Sequence, residues 1–72
     1  MDINTAQDKL ERLTAQLDIL TAKRDSVART HGGGTRLHVA NIHVCDMVFA
    51  IVRHNREVAD YWGQAVAAAK KT

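Results

Sequence analysis

The sequence predicts an all-α protein: an antiparallel helical hairpin, two long helices joined by a glycine-rich turn, that dimerises into a four-helix bundle. Three observations carry this expectation. Apolar residues recur at heptad spacing on both sides of the chain's midpoint. Gly32, Gly33 and Gly34 stand together between those two stretches. No proline interrupts either, and one inside a helix costs about 3 kcal/mol. Residues 1–72 are read as one domain, with helix over about 3–31, a hinge at 32–34, and helix over about 35–70.

The first helix is predicted from two parallel lines of residues. Ile3, Leu10, Leu17 and Arg24 fall on one; Ala6, Leu13, Leu20 and Val27 fall on the other. This is the a/d seam of a helix packed lengthwise on another helix. Arg24 suits an open edge, its stem buried and its head in water. On the other faces Asp8–Arg12 and Asp25–Arg29 have i,i+4 spacing, worth about 0.2–0.5 kcal/mol per pair. Ile19 falls off the seam.

The hinge follows from backbone freedom. Gly32 supplies the left-handed residue that ends a helix, Gly33 and Gly34 let the chain reverse, and Thr35 is expected to cap the next helix through its hydroxyl.

The second helix keeps the same register. Leu37, Val44, Ile51, Val58 and Ala65 form one line; Asn41, Val48, Asn55, Trp62 and Ala69 form the other. At about 100° per residue, Ile42, Cys45, Phe49 and Val52 sit beside this seam and widen the apolar arc past half the circumference. One antiparallel neighbour covers the seam alone. A second copy of the chain is the simplest cover for the Phe49 flank. Asn41 and Asn55 fit that reading, since a seam Asn fixes register and oligomer state at some cost in stability; at a bundle edge they are simply solvated. One alternative stands beside the helix: "LHV" and "IHV" alternate as in strands, so residues 36–44 are also compatible with a ribbon. At 1.5 Å per residue the helices span roughly 40 Å and roughly 50 Å, so the end of the second, Trp62 to Thr72, overhangs or meets another subunit.

Size points the same way. So short a chain buries a modest core, and it carries a single cysteine, so no intrachain disulfide is available. Charged residues make up 25% and apolar residues 46%, the balance of a globular protein rather than a disordered tail. The net charge of +2 is too small to imply nucleic acid. "MDINTAQDKL" has neither the basic start nor the apolar run of a secretory signal. Met47–Val52, the most apolar run, is far below the roughly 20 residues that span a bilayer. A cytoplasmic, non-membrane protein is the expectation.

Catalytic signals are absent. His31-Gly32-Gly33-Gly34 has the composition of a lipase-type oxyanion loop, but no Gly-x-Ser-x-Gly accompanies it and Ser26 is the sole serine. Nor does a Lys-Ser/Thr follow the glycines, as a phosphate loop requires. His31, His38, His43 and His54, with Cys45 and Asp46, are too widely spaced on one helix to share a metal; only His43–Asp46 has i,i+3 spacing. No enzyme activity, cofactor or metal is expected. Cys45, beside Phe49, reads as a small core residue.

The functional expectation is therefore a small regulatory, inhibitory or adaptor protein of bacterial or phage accessory type, acting by protein–protein binding as a homodimer. Its dimer and core residues are expected to be Leu10, Leu13, Leu17, Leu20, Val44, Val48, Phe49, Ile51, Val52, Val58 and Trp62. Its partner-binding stripe is expected on an outward face: His43, Ala50, His54 and Tyr61, flanked by Arg53 and Glu57. Trp62 either caps the core or lies in an exposed binding patch. The alternatives are a nucleic-acid binder using Arg36, Arg53, Arg56, Lys70 and Lys71, and a small-ligand binder at the subunit junction near Trp62.

Overall fold

The computed structural model describes residues 2–71; Met1 and Thr72, the ends of the expected domain, lie outside them. Two helices make up almost all of it: α1, Ile3–His31, and α2, Thr35–Lys70. Residues 36–44 lie within α2, so the ribbon alternative is excluded. Helix α1 starts on a cap that the heptad pattern does not reveal. The Asp2 carboxylate accepts from the Asn4 N–H at 3.4 Å and from the Thr5 hydroxyl at 3.3 Å, while its carbonyl accepts from the Ala6 N–H at 3.0 Å. A cap of this kind stabilises a helix by about 1 kcal/mol.

At the other end Gly32 caps α1, donating its N–H to the Ala28 carbonyl at 3.1 Å. Its φ is 67°, as the sequence predicts, but its ψ of −137° lies outside the left-handed helical well. Gly34, with φ 111° and ψ −165°, is the N-cap of α2. Thr35 is thus the first helical residue rather than the cap, and no side chain caps this helix. The turn is closed by a hydrogen bond across it: Arg36 Nη1 donates to His31 Nε2 at 3.0 Å.

The helices lie side by side and antiparallel: one groove between them is lined from Ile3 and Trp62, another from Val27 and Thr35. In α1 the side chains turned to α2 are Ala6, Leu10, Leu13, Leu17, Leu20, Arg24 and Val27, all buried or half-buried. These are the two lines read from the sequence except for Ile3, which heads the first line but is 54% exposed. Arg24 behaves as expected of a seam edge, but it takes the carboxylate expected for Arg29: its Nη2 lies 3.0 Å from Asp25 Oδ1. Asp8 and Arg12 form no ion pair among the described residues.

In α2 one line holds as far as Val58, its last member Ala65 being exposed, and the other line moves. Leu37, Val44, Ile51 and Val58 are half-buried against α1. The second line is Ala40, Met47 and His54, not Asn41, Val48, Asn55 and Trp62, all of which are exposed. Both choices alternate three- and four-residue steps with the Leu37 line, so periodicity is indifferent between them. Two local facts favour the observed one. Among the described residues Ala6 and Ala40 are the buried apolar ones, small enough to let the backbones approach, and His54 finds a hydrogen-bond partner on α1.

The hairpin is thin, with extents of 60 × 19 × 11 Å and a radius of gyration of 17.2 Å. A compact chain of this length would have a radius of gyration of about 11 Å. Among the described residues no large side chain is fully buried.

Candidate interaction surface

Helix α2 presents a long exposed apolar flank beside the seam. Ile42 is 44% exposed, Phe49 64% and Val52 47%, and Cys45 is a free, exposed thiol among them. Residues 42, 45, 49 and 52 repeat the three- and four-residue steps of a heptad, so they form a second stripe, turned about 150° from the midline of the first and so facing largely away from α1. Val48, exposed between the two stripes, broadens it. The heptad pattern puts Ile42, Cys45, Phe49 and Val52 on this flank, but Cys45 is exposed on it rather than part of the core. Within one hairpin nothing covers it, because α1 has a single apolar stripe and spends it on the seam.

The stripe expected to face outward is split by the rotation of α2. His43 is exposed and Ala50 half-buried. His54 is the buried polar residue among the described residues, 4% exposed, with its Nε2 2.9 Å from the Ala6 carbonyl oxygen. A carbonyl only accepts, so Nε2 carries the hydrogen and donates. Ala50 and His54 are therefore withdrawn from the partner-binding set, for the same reason that Val48 and Trp62 are withdrawn from the hairpin core. The shift follows from the close approach at Ala6, which gives His54 a carbonyl within reach. Arg53 and Glu57 remain exposed on the outer face.

Two grooves flank the seam. At the hinge end Leu20, Val27, Val39 and Ala40 floor a groove of about 310 Å³, with Lys23, Thr35, Arg36 and His43 also lining it. At the open end Ile3, Ala6, Gln7, Leu10, His54, Asn55, Val58 and Trp62 line a second, of about 280 Å³. Trp62 thus sits neither in the core nor clear of the protein. It is 40% exposed, borders this groove, and meets Tyr61 edge-on at 5.3 Å between ring centroids. Beyond it the described end of α2 overhangs, exposed through Lys71.

Among the described residues no three His, Cys, Asp or Glu side chains gather at a metal-sized site. By length and composition α2 is long and apolar enough to cross a membrane, a property that the short Met47–Val52 run did not suggest. Arg36, Asp46, Arg53, Arg56, Glu57, Asp60, Lys70 and three histidines punctuate it. Comparisons with protein-family models, curated proteins and solved structures returned no match.

Proposed function

We propose that this chain is a non-enzymatic regulatory, inhibitory or adaptor protein of the cytoplasm that acts by binding another protein, and that its working form is a homodimeric helical bundle, its two hairpins hinged at Gly32–Gly34 and docked through α2. The observation that carries the reading is the exposed Ile42–Phe49–Val52 flank on a hairpin with almost no core of its own. A contiguous exposed apolar stripe on a soluble protein marks an interaction site, and a chain of this size draws much of its stability from assembly. The charges and histidines of α2 favour a protein neighbour over lipid, since each is costly in a hydrocarbon core.

Once the flank is covered, the outer residues Arg53, Glu57 and Tyr61, with His43 at the hinge groove, are left to meet the target. Tyr and Arg are favoured at binding hot spots. Light scattering tests the first half of the reading: the mass should be that of two chains at micromolar concentration, and the melting temperature should rise with concentration. A folded monomer would overturn it. For the second half, Arg53→Ala and Tyr61→Ala should weaken capture of a target while leaving mass and helicity unchanged.

A further inference from the structure

We propose that the second copy docks antiparallel on the α2 flank, with the two-fold axis crossing the helix at the level of Met47 and Val48. The inference deepens the dimer reading above and rests on it. The argument is the symmetry of the exposed pattern. Reading outward from residue 47 in both directions, Cys45 is balanced by Phe49, Ile42 by Val52, and His38 by Arg56. An isologous interface brings residue i of one copy against residue j of the other, and j against i.

Antiparallel pairing about that level therefore sets Ile42 on Val52 of the second copy and Cys45 on its Phe49, each contact made twice. Every central layer is apolar, and the stripe ends in polar residues on both sides. On one edge the pairing is centred one residue along, so Val48 meets its own copy, and Asn41 meets Asn55 of the second copy, with an offset of about 3 Å along the helix axis that the side chains can span; two amides can each donate and accept. This gives the two asparagines, which the hairpin leaves exposed, the register-fixing task that such residues perform in coiled coils. On the other edge Asp46 approaches its own copy in solvent, where salt screens the repulsion.

A parallel pairing covers the same apolar residues but stacks Arg56 on Arg56 at the end of the stripe and leaves Asn41 and Asn55 without each other. It also sets Cys45 against Cys45. In the antiparallel arrangement the two thiols are offset along the axis and beyond the reach of a disulfide, which needs Cα atoms within about 7 Å.

The test uses the full chain. A spin label is placed at exposed Asp60 in a Cys45→Ala, Asp60→Cys variant whose mass is checked by light scattering, and the label–label distance is read by pulsed electron resonance. The antiparallel dimer puts the labels about 40 Å apart from the helical rise alone; the parallel one puts them within about 20 Å. A dimer with the long distance supports the proposal. A dimer with the short distance overturns this arrangement and leaves the dimer reading intact. A monomer, or a monomer that co-sediments with phosphatidylglycerol–phosphatidylcholine vesicles, overturns both. In the wild-type chain, oxidation by diamide should yield no Cys45-linked dimer, and efficient cross-linking would also sink the arrangement. Phe49→Lys should raise the dissociation constant by more than about 100-fold; an unchanged constant places the interface elsewhere.

Discussion

His54 of α2 donates from Nε2 to the carbonyl oxygen of Ala6 in α1 across 2.9 Å, joining positions 48 residues apart in sequence. It ties the two helices together along the seam, away from the Arg36–His31 bond at the turn, and it is buried. Ala6 makes it possible by having no side chain beyond Cβ, so the imidazole reaches the backbone. The Ala6 carbonyl lies in the first turns of α1 and can serve the helix ladder with one lone pair and His54 with the other.

This relationship predicts an ordered response to substitution. His54→Ala removes both the ring and the bond and should cost about 2–3 kcal/mol by urea denaturation. His54→Leu refills most of the volume, and the carbonyl it abandons keeps its ladder partner, so the loss should be under about 1.5 kcal/mol. Equal losses for Ala and Leu would mean that the bond, not the volume, dominates.

The small residues of the seam set a second expectation. Ala40→Leu should destabilise by about 1–3 kcal/mol, since added methylenes must force the helices apart at a buried site. Ile19→Ala, on a side chain 67% exposed, should stay within about 0.5 kcal/mol. Comparable effects at the two sites would contradict the observed packing.

The three hinge glycines should not be equivalent. Gly32 and Gly34 have φ of 67° and 111°, where a side chain is strained, whereas Gly33 has no positive φ; all three have open space at Cβ. Gly32→Ala and Gly34→Ala should therefore each cost about 1–2 kcal/mol, while Gly33→Ala should be neutral or stabilise by up to about 1 kcal/mol through the unfolded chain. Thermal melts of the three variants at one concentration decide this, and a destabilised Gly33→Ala would refute the assignment.

Gly63 lies inside α2, its φ is not positive, and nothing is within 4 Å of a Cβ built there. Gly63→Ala should stabilise the protein by roughly 0.5–1 kcal/mol, seen as a higher melting temperature. A loss instead would show that something in the assembly approaches this backbone.

What the sequence determined by itself is the helical class, the reversal at residues 32–34 and the seam of α1 from Ala6 to Val27. That helix has one narrow apolar stripe, so 3.6-residue periodicity leaves a single face for burial. It also marked Phe49 and Val52 as flanking residues. What it left open is the rotation of α2, whose apolar arc exceeds half a turn and admits two seams that differ by one residue along one line. Hydrophobic burial is non-directional and scarcely separates the two. Only with both helices in place do the close approach at Ala6 and Ala40 and the reach of His54 to a carbonyl select Ala40, Met47 and His54. The same selection sends Val48 and Trp62 outward, turns one supposed binding residue, His54, into a seam residue, and leaves Ile42, Phe49 and Val52 uncovered on one flank.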